Sequence, residues 1–181
     1  MKTSALVVSV VILSATTCVS YTPPAAHPVK RESEIPTSPE NVWRSVIRYF
    51  SDRNIPIENM DHSSFFIKTR PVDLGGVYRV FEGKAPPIRN RYCDCGTASI
   101  SGAWSTETRI LLSFNTVLES PRPDVTTARV NTFFEGVKEG KVDLRSRGND
   151  TTIRLTCVST GVLEKELQDY VESSTTGATS R

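Results

Sequence analysis

The residues with the clearest chemical potential in this sequence are its four cysteines. Cys18 follows an apolar run near the N-terminus, Cys93 and Cys95 lie in the segment YCDCG, and Cys157 lies in the alternating segment TTIRLTCV. Thiols in an oxidising compartment pair as disulfides, whereas elsewhere they bind metals or do redox chemistry. The spacing of these cysteines therefore decides which chemistry the chain can support.

One disulfide between Cys157 and either Cys95 or Cys93 is the structural interpretation of this set. We expect Cys93 and Cys95 to point away from each other, so that they do not pair. Gly96 follows Cys95 and favours the close approach of another strand there, which makes Cys95–Cys157 the preferred bridge. In the chain-entropy description, closing a loop of about 60 residues stabilises the fold by roughly 4 kcal/mol.

A metal-binding or redox-active C-x-C is the alternative for the same residues. A closed metal site needs about four donors, and beyond the cysteines the domain adds only His62, without compact spacing. The nucleophile elbow G-x-S-x-G, the zinc motif H-E-x-x-H and the dinucleotide motif G-x-G-x-x-G do not occur in the sequence. We therefore predict no catalytic residue, no bound metal and no cofactor.

The N-terminal residues have the pattern of a secretory signal peptide. Met1 and Lys2 precede the apolar run ALVVSVVILSA, residues 5–15. This run is too short to cross a bilayer, because a spanning helix needs roughly 20 apolar residues. Two processing routes fit: lipid modification of Cys18 as the first mature residue, which we favour, or cleavage after Ser20, which removes Cys18.

Composition predicts one packed domain. The chain has 181 residues, 38% of them hydrophobic, with 22 Lys and Arg against 20 Asp and Glu. The formal net charge of +2 gives no electrostatic reason to expect a nucleic-acid partner. We divide the chain into a signal peptide (1–18), a proline-rich tether (19–36), a single folded domain (37–172) and a disordered tail (173–181).

The folded domain is predicted to begin and end with a helix. The segment TSPE, beginning at Thr37, has the residues of a helix start, and the segment NVWRSVIRYFSDRN places its apolar residues on one face. A second helix begins near Thr160 or Gly161, with Glu164 in its first turn. Strand-like segments fill the interval without intervening helices. We predict an α+β fold with an antiparallel sheet of five to seven strands, flanked by an N-terminal and a C-terminal helix.

Several features of the layout occur together: the leader ending at Cys18, the proline-rich segment, the opening helix PENVWRSVIRYFSDRNIPIENMD, and the segments FFIKT, YCDCG and CVSTGVLEKEL. In this combination the chain resembles small bacterial envelope lipoproteins of the broad BamC/NlpB-like kind. The resemblance covers about residues 1–70 and 90–172 and implies a bridge between the two cysteine-bearing motifs. It also implies an interaction or assembly module of the envelope and not an enzyme.

We therefore expect an exported, lipid-anchored module of the bacterial cell envelope that faces the periplasm and binds an envelope protein. The first alternative is a periplasmic carrier of a small apolar ligand, since RILLSFNTVL and VNTFFEGV could line a cavity. The second is an enzyme, either thiol-dependent through Cys93 or Cys95 or hydrolytic through His62. Turn composition explains His62 and the neighbouring Asp61 without catalysis.

Overall fold

A computed structural model describes residues 19–80, 90–101, 103, 105–141 and 150–176. Within these ranges the chain forms ten strands and two helices. In chain order they are β1 (Val19–Thr22), β2 (Glu32–Ile35), α1 (Pro39–Asp52), β3 (Ile57–Asp61), β4 (Phe66–Thr69), β5 (Val72–Val80), β6 (Cys93–Asp94), β7 (Thr97–Ile100), β8 (Ser105–Arg122), β9 (Val125–Lys141), β10 (Asp150–Ser159) and α2 (Val162–Thr176). The predicted signal peptide and Cys18 lie outside the described residues.

The predicted α+β class is confirmed. Eight strands form one sheet in the order β3-β4-β8-β9-β10-β6, with β2 also paired to β9 and β5 to β8. The described strand pairs are antiparallel, and β1 and β7 form a second sheet of two strands. The strand number exceeds the predicted five to seven because short edge strands also pair.

The two helices cover one face of the large sheet. Long strands β8 and β9 form its centre, and alternate residues of each are buried, including Phe114 and Val130. The buried side of α1 packs onto this face, with the rings of Phe50 and Phe114 5.2 Å apart, and α2 contacts both α1 and β9. The alternation of apolar residues along β8 and β9 therefore creates the core.

The helix boundaries agree with the capping and stop residues in the sequence, although the N-terminal cap of α1 lacks a side-chain hydrogen bond. Asn54 has a φ of +53° just after α1, as expected for a helix stop. At the other end Ser38, within the predicted helix start TSPE, is the capping residue, and its side chain makes no hydrogen bond to the helix. In α2 the Lys165 N–H donates to the Gly161 carbonyl, which makes Gly161 the cap.

The segment predicted as a tether differs from that expectation. Strand β1 pairs with β7, from Val19 opposite Ile100 to Thr22 opposite Thr97, and β2 pairs with β9. Ile35 is 1% exposed and belongs to the core. Proline-rich composition disfavours interior strands but allows short edge strands, so the segment joins the fold at both ends. Likewise, α2 continues to Thr176, beyond the predicted start of the tail at 173.

The Tyr49 hydroxyl gives a testable energetic consequence. Tyr49 is 0% exposed and its hydroxyl has no hydrogen-bond partner among the described residues. Replacing Tyr49 with Phe is expected to raise the free energy of unfolding by about 1 kcal/mol, because an unpaired buried hydroxyl is removed while the ring stays. Burial raises the Tyr49 pKa from 10.0 to about 12, so the wild type should also lose stability above pH 10, and Tyr49→Phe should lose less.

Tyr170 is the matched control, since its ring lies 5.4 Å from that of Tyr49 and its hydroxyl donates to Asp52 at 2.7 Å. Tyr170→Phe removes a hydrogen bond that is made and is expected to destabilise. Urea unfolding of both variants checks the pair. A loss of stability in Tyr49→Phe as large as that in Tyr170→Phe would contradict the unpaired hydroxyl.

Candidate functional site

Strand register brings Cys95 and Cys157 together. In the antiparallel pairing of β6 with β10, Asp94 lies opposite Val158 and Cys93 opposite Ser159. The same register sets Cys95 opposite Cys157, and their Sγ atoms are 2.00 Å apart, with Cα atoms 4.0 Å apart. The structure thus contains the preferred Cys95–Cys157 bridge. Cys93 does not take the place of Cys95, because it lies two residues further along the chain, opposite Ser159.

Cys93 lies beside this bridge as a free thiol. The Sγ atoms of Cys93, Cys95 and Cys157, called here the cysteine cluster, lie within 4.8 Å of one another. The expectation that Cys93 and Cys95 point apart is wrong, because residues two apart on an extended chain share a face. Burial, with a smaller contribution from Asp94, raises the Cys93 pKa to about 12, so this thiol stays protonated at neutral pH.

Two glycines allow close packing at and next to the cluster. Gly136 on β9 faces the bridge, where an added Cβ would lie 3.3 Å from the Cys157 Sγ and 3.4 Å from the Cys95 Sγ. Gly96 has a φ of +72°, and a Cβ there would lie 2.1 Å from the carbonyl oxygen of Thr22. The predicted close approach at Gly96 therefore occurs, and the approaching chain is the end of β1.

Residues 23–31, called here the strap, connect β1 to β2 across one end of the sheet. The strap begins against Gly96, passes Val29 beside Gly161, and ends where the Arg31 carbonyl accepts the Val130 N–H at 2.8 Å. Before it, the Tyr21 hydroxyl donates to the Thr156 carbonyl at 2.8 Å. The proline-rich segment is thus held by specific contacts to Gly96, between β6 and β7, and to β9 and β10.

A cleft of about 340 Å³, called here the strap cleft, lies between the strap and the sheet. On one edge of β9, β2 pairs with residues 126–129 and β10 pairs with residues 134–141. Residues 130–133 of β9 are therefore outside the described pairing with either strand. The cleft opens at this interruption. It is lined by Ala26, His27, Val29 and Arg31 of the strap, residues 131–134 of β9 and residues 156–159 of β10. Cys157 therefore connects the cleft to the cysteine cluster.

A buried carboxylate lies next to the same strands. Glu164 is 0% exposed, and it accepts a hydrogen bond from the Ser159 hydroxyl at 2.8 Å and another from the Thr132 hydroxyl. Its position in the first turn of α2 lets the helix N-terminus stabilise its negative charge. The sequence placed Glu164 in this turn but gave no sign that it joins α2 to β9 and β10 beside the cleft.

The turn around His62 does not assemble a hydrolytic site in the described part of the chain. His62 Nε2 lies 3.0 Å from Glu40, and its ring packs against those of Trp43 and Phe65. The Ser63 and Ser64 hydroxyls both donate to Asp61, so the neighbouring serines are engaged in the turn. These contacts agree with turn composition as the explanation of His62.

The burial of Cys93 predicts low reactivity. In a chain carrying Cys18→Ser, Cys93 should react with iodoacetamide at pH 8 at least about tenfold more slowly in the folded protein than in urea, because burial raises its pKa from 9.0 to about 12 and lowers the thiolate fraction. The folded rate should increase as the pH is raised from 8 towards 10, because the thiolate fraction of Cys93 rises over this range. Mass spectrometry of timed, acid-quenched samples measures this, and fast labelling of the folded chain at pH 8 would contradict the buried placement.

Comparison with protein-family models, with curated proteins and with solved structures gives no match. The resemblance to BamC/NlpB-like lipoproteins therefore stays a prediction. Among the described residues, no helix is long and apolar enough to cross a membrane. The cysteine cluster is the one group of three or more cysteine, histidine or carboxylate side chains in the described ranges whose ligand atoms converge. Together with the strap cleft, it is the candidate site.

Proposed function

We propose that this chain is an exported, lipid-anchored binding module of the bacterial cell envelope, held at a membrane through Cys18 and facing the periplasm. The buried Cys95–Cys157 disulfide is the observation that carries the proposal. Disulfides of this kind form and persist in oxidising compartments such as the periplasm. The signal-peptide pattern before Cys18 supports the same location.

The strap cleft is the surface that we assign to partner binding. Phe133 lines it and is 54% exposed, and Tyr21, which bonds to the nearby Thr156 carbonyl, is 38% exposed. Large aromatic side chains left at a surface beside a concave feature are typical of protein interfaces. We propose an envelope protein that inserts an apolar side chain into the cleft.

A carrier of a small apolar ligand is the second candidate for the same cleft. Its volume of about 340 Å³ lies at the lower end of the range of small-molecule sites, roughly 300–1,000 Å³. Phe133, Phe134, Val29 and Val158 give it an apolar lining. A thiol-dependent enzyme is less well supported, because a nucleophilic cysteine needs a lowered pKa and that of Cys93 is raised.

Intact mass of the protein purified from its native membrane fraction tests the location. The expected mass is that of a chain beginning at Cys18 with added acyl groups, which gains two hydrogen atoms on reduction. A chain beginning at Tyr21 in the soluble fraction, with three free thiols, would overturn the proposal. Cys18→Ser is the matched variant and is expected to release the protein from the membrane.

Site-specific photo-crosslinking in intact envelopes tests the binding surface. A photoreactive residue at position 133 is expected to capture a discrete envelope protein. The same residue at position 60 is the control, since Met60 is 58% exposed on β3, at the opposite edge of the sheet from β6. Equal capture from both positions would argue against the strap cleft. A small molecule retained in native mass spectra, and lost in Phe133→Arg, would favour the carrier.

A further inference from the structure

We propose that the cysteine cluster is a thiolate site for a soft divalent metal ion of the zinc and cadmium class, formed when the Cys95–Cys157 disulfide is reduced. The proposal accounts for Cys93, a buried third cysteine that a structural disulfide does not require. It is independent of the proposed partner-binding role of the cleft.

The size of the cluster suits one ion. Zinc–sulfur bonds are about 2.3 Å long, so thiolates that share an ion lie about 4 Å apart. The three Sγ atoms already lie within 4.8 Å of one another. Cys93 and Cys95 share one face of the extended chain and Cys157 faces Cys95 from β10, so the three form a triangle across two strands. Breaking the bridge frees two sulfurs beside the third thiol, Cys93.

The ligand set selects a soft cation. Cys93 and Cys95 are 0% exposed and Cys157 is 9% exposed, so the cluster is largely shielded from water. The converging group contains sulfur and no oxygen or nitrogen ligand. The neighbouring Asp94 carboxylate accepts the Gly96 N–H at 2.8 Å. Magnesium and calcium require oxygen ligands, whereas thiolates prefer zinc and similarly soft ions.

The surroundings of the cysteine cluster provide room for the ion. Gly136 presents no side chain to the cluster, and the Cβ of any other residue would press on both bridge sulfurs at 3.3 and 3.4 Å.

The strap cleft gives a route to the sulfurs. Cys157 lines the cleft, so a small dithiol reductant approaches from there. One reductant thiolate attacks the Cys157 Sγ and releases Cys95 as a thiolate. The second reductant thiol then closes a disulfide within the reductant and releases Cys157. The three cysteine thiols bind the ion and release three protons to solvent. The oxidised chain lacks two of the ligands, so the Cys95–Cys157 disulfide and the metal site exclude each other.

Cadmium titration of the chain carrying Cys18→Ser tests the site. The protein is reduced with excess dithiol, freed of reductant without oxygen, and titrated with Cd²⁺ while thiolate-to-metal absorption and melting temperature are recorded. We expect one Cd²⁺ per chain and a rise in melting temperature, because the ion binds the folded state. The oxidised chain is expected to show neither effect.

Cys93→Ser is the decisive variant, since it keeps the bridge and its fold can be verified in the oxidised form. After reduction it is expected to bind Cd²⁺ at least tenfold more weakly. Unchanged affinity in this variant would show that Cys93 is not a ligand and would overturn the proposal. Absorption without any rise in melting temperature would show binding to unfolded thiols only, and would overturn it as well.

Discussion

Replacing Cys95 with Ala is expected to lower the free energy of unfolding by about 4 kcal/mol. The bridge joins residues 62 apart in sequence, so its loss restores a large amount of chain entropy to the unfolded state. It also ties the two-residue strand β6 to β10, where few backbone pairs hold it. Urea unfolding at pH 7 measures the loss, and reduction of the wild type should reproduce most of it.

Cys93→Ala is the control for this prediction. It removes a buried sulfur from the same cluster but keeps the bridge, so it is expected to cost only about 1 kcal/mol and to remain sensitive to reductant. Mass mapping of Cys95→Ala accompanies the measurement, because the Cys93 Sγ lies within 4.8 Å of the Cys157 Sγ and a replacement bridge would restore part of the lost stability. Equal losses in the two variants would mean that packing and not the bridge stabilises this end of the sheet.

Elements whose stability comes from local periodicity could be predicted from the sequence. The apolar stripe of α1, the stop at Asn54 and the alternation of β10 gave positions close to those observed, and with them the α+β class. Strands β8 and β9 run beyond the apolar segments RILLSFNTVL and VNTFFEGV that mark them in the sequence, and polar and charged residues occupy outward positions in these extensions. Residues in these extensions remain paired in the β-sheet because one face of each strand is buried.

The candidate site was less predictable because it depends on contacts distant in sequence. Strands β1 and β2 have four residues each, and β1 is exposed throughout; pairing with β7 and β9 creates them. The strap cleft exists because β2 and β10 pair with β9 at separate places, and no local pattern encodes that interruption. The position of Cys93 beside the bridge could have been predicted from strand geometry. The expectation that Cys93 and Cys95 point away from each other missed it.

Replacing Gly96 with Ala is expected to destabilise the chain by about 3 kcal/mol and to loosen the strap. The φ of +72° is costly for any residue with a Cβ, and that atom would lie 2.1 Å from the Thr22 carbonyl oxygen. A backbone atom at this distance cannot be avoided by side-chain rotation, so β1 must move away from the cysteine cluster. Faster tryptic cleavage after Lys30 and Arg31, together with urea unfolding, measures the effect.

Gly75→Ala is a closely matched control. Gly75 has a φ of +96°, and its N–H donates to Asp73 at 2.8 Å, as the Gly96 N–H does to Asp94. A Cβ at Gly75 would meet nothing within 4 Å, so this substitution carries the backbone strain alone and should cost about 1 kcal/mol. The difference between the two variants therefore measures the packing of β1 and the strap on Gly96. Equal costs and equal cleavage would mean that the strap is not held there.

If the strap does loosen, the Cys95–Cys157 bridge should also be reduced faster in Gly96→Ala, because the strap forms one wall of the cleft that leads to Cys157.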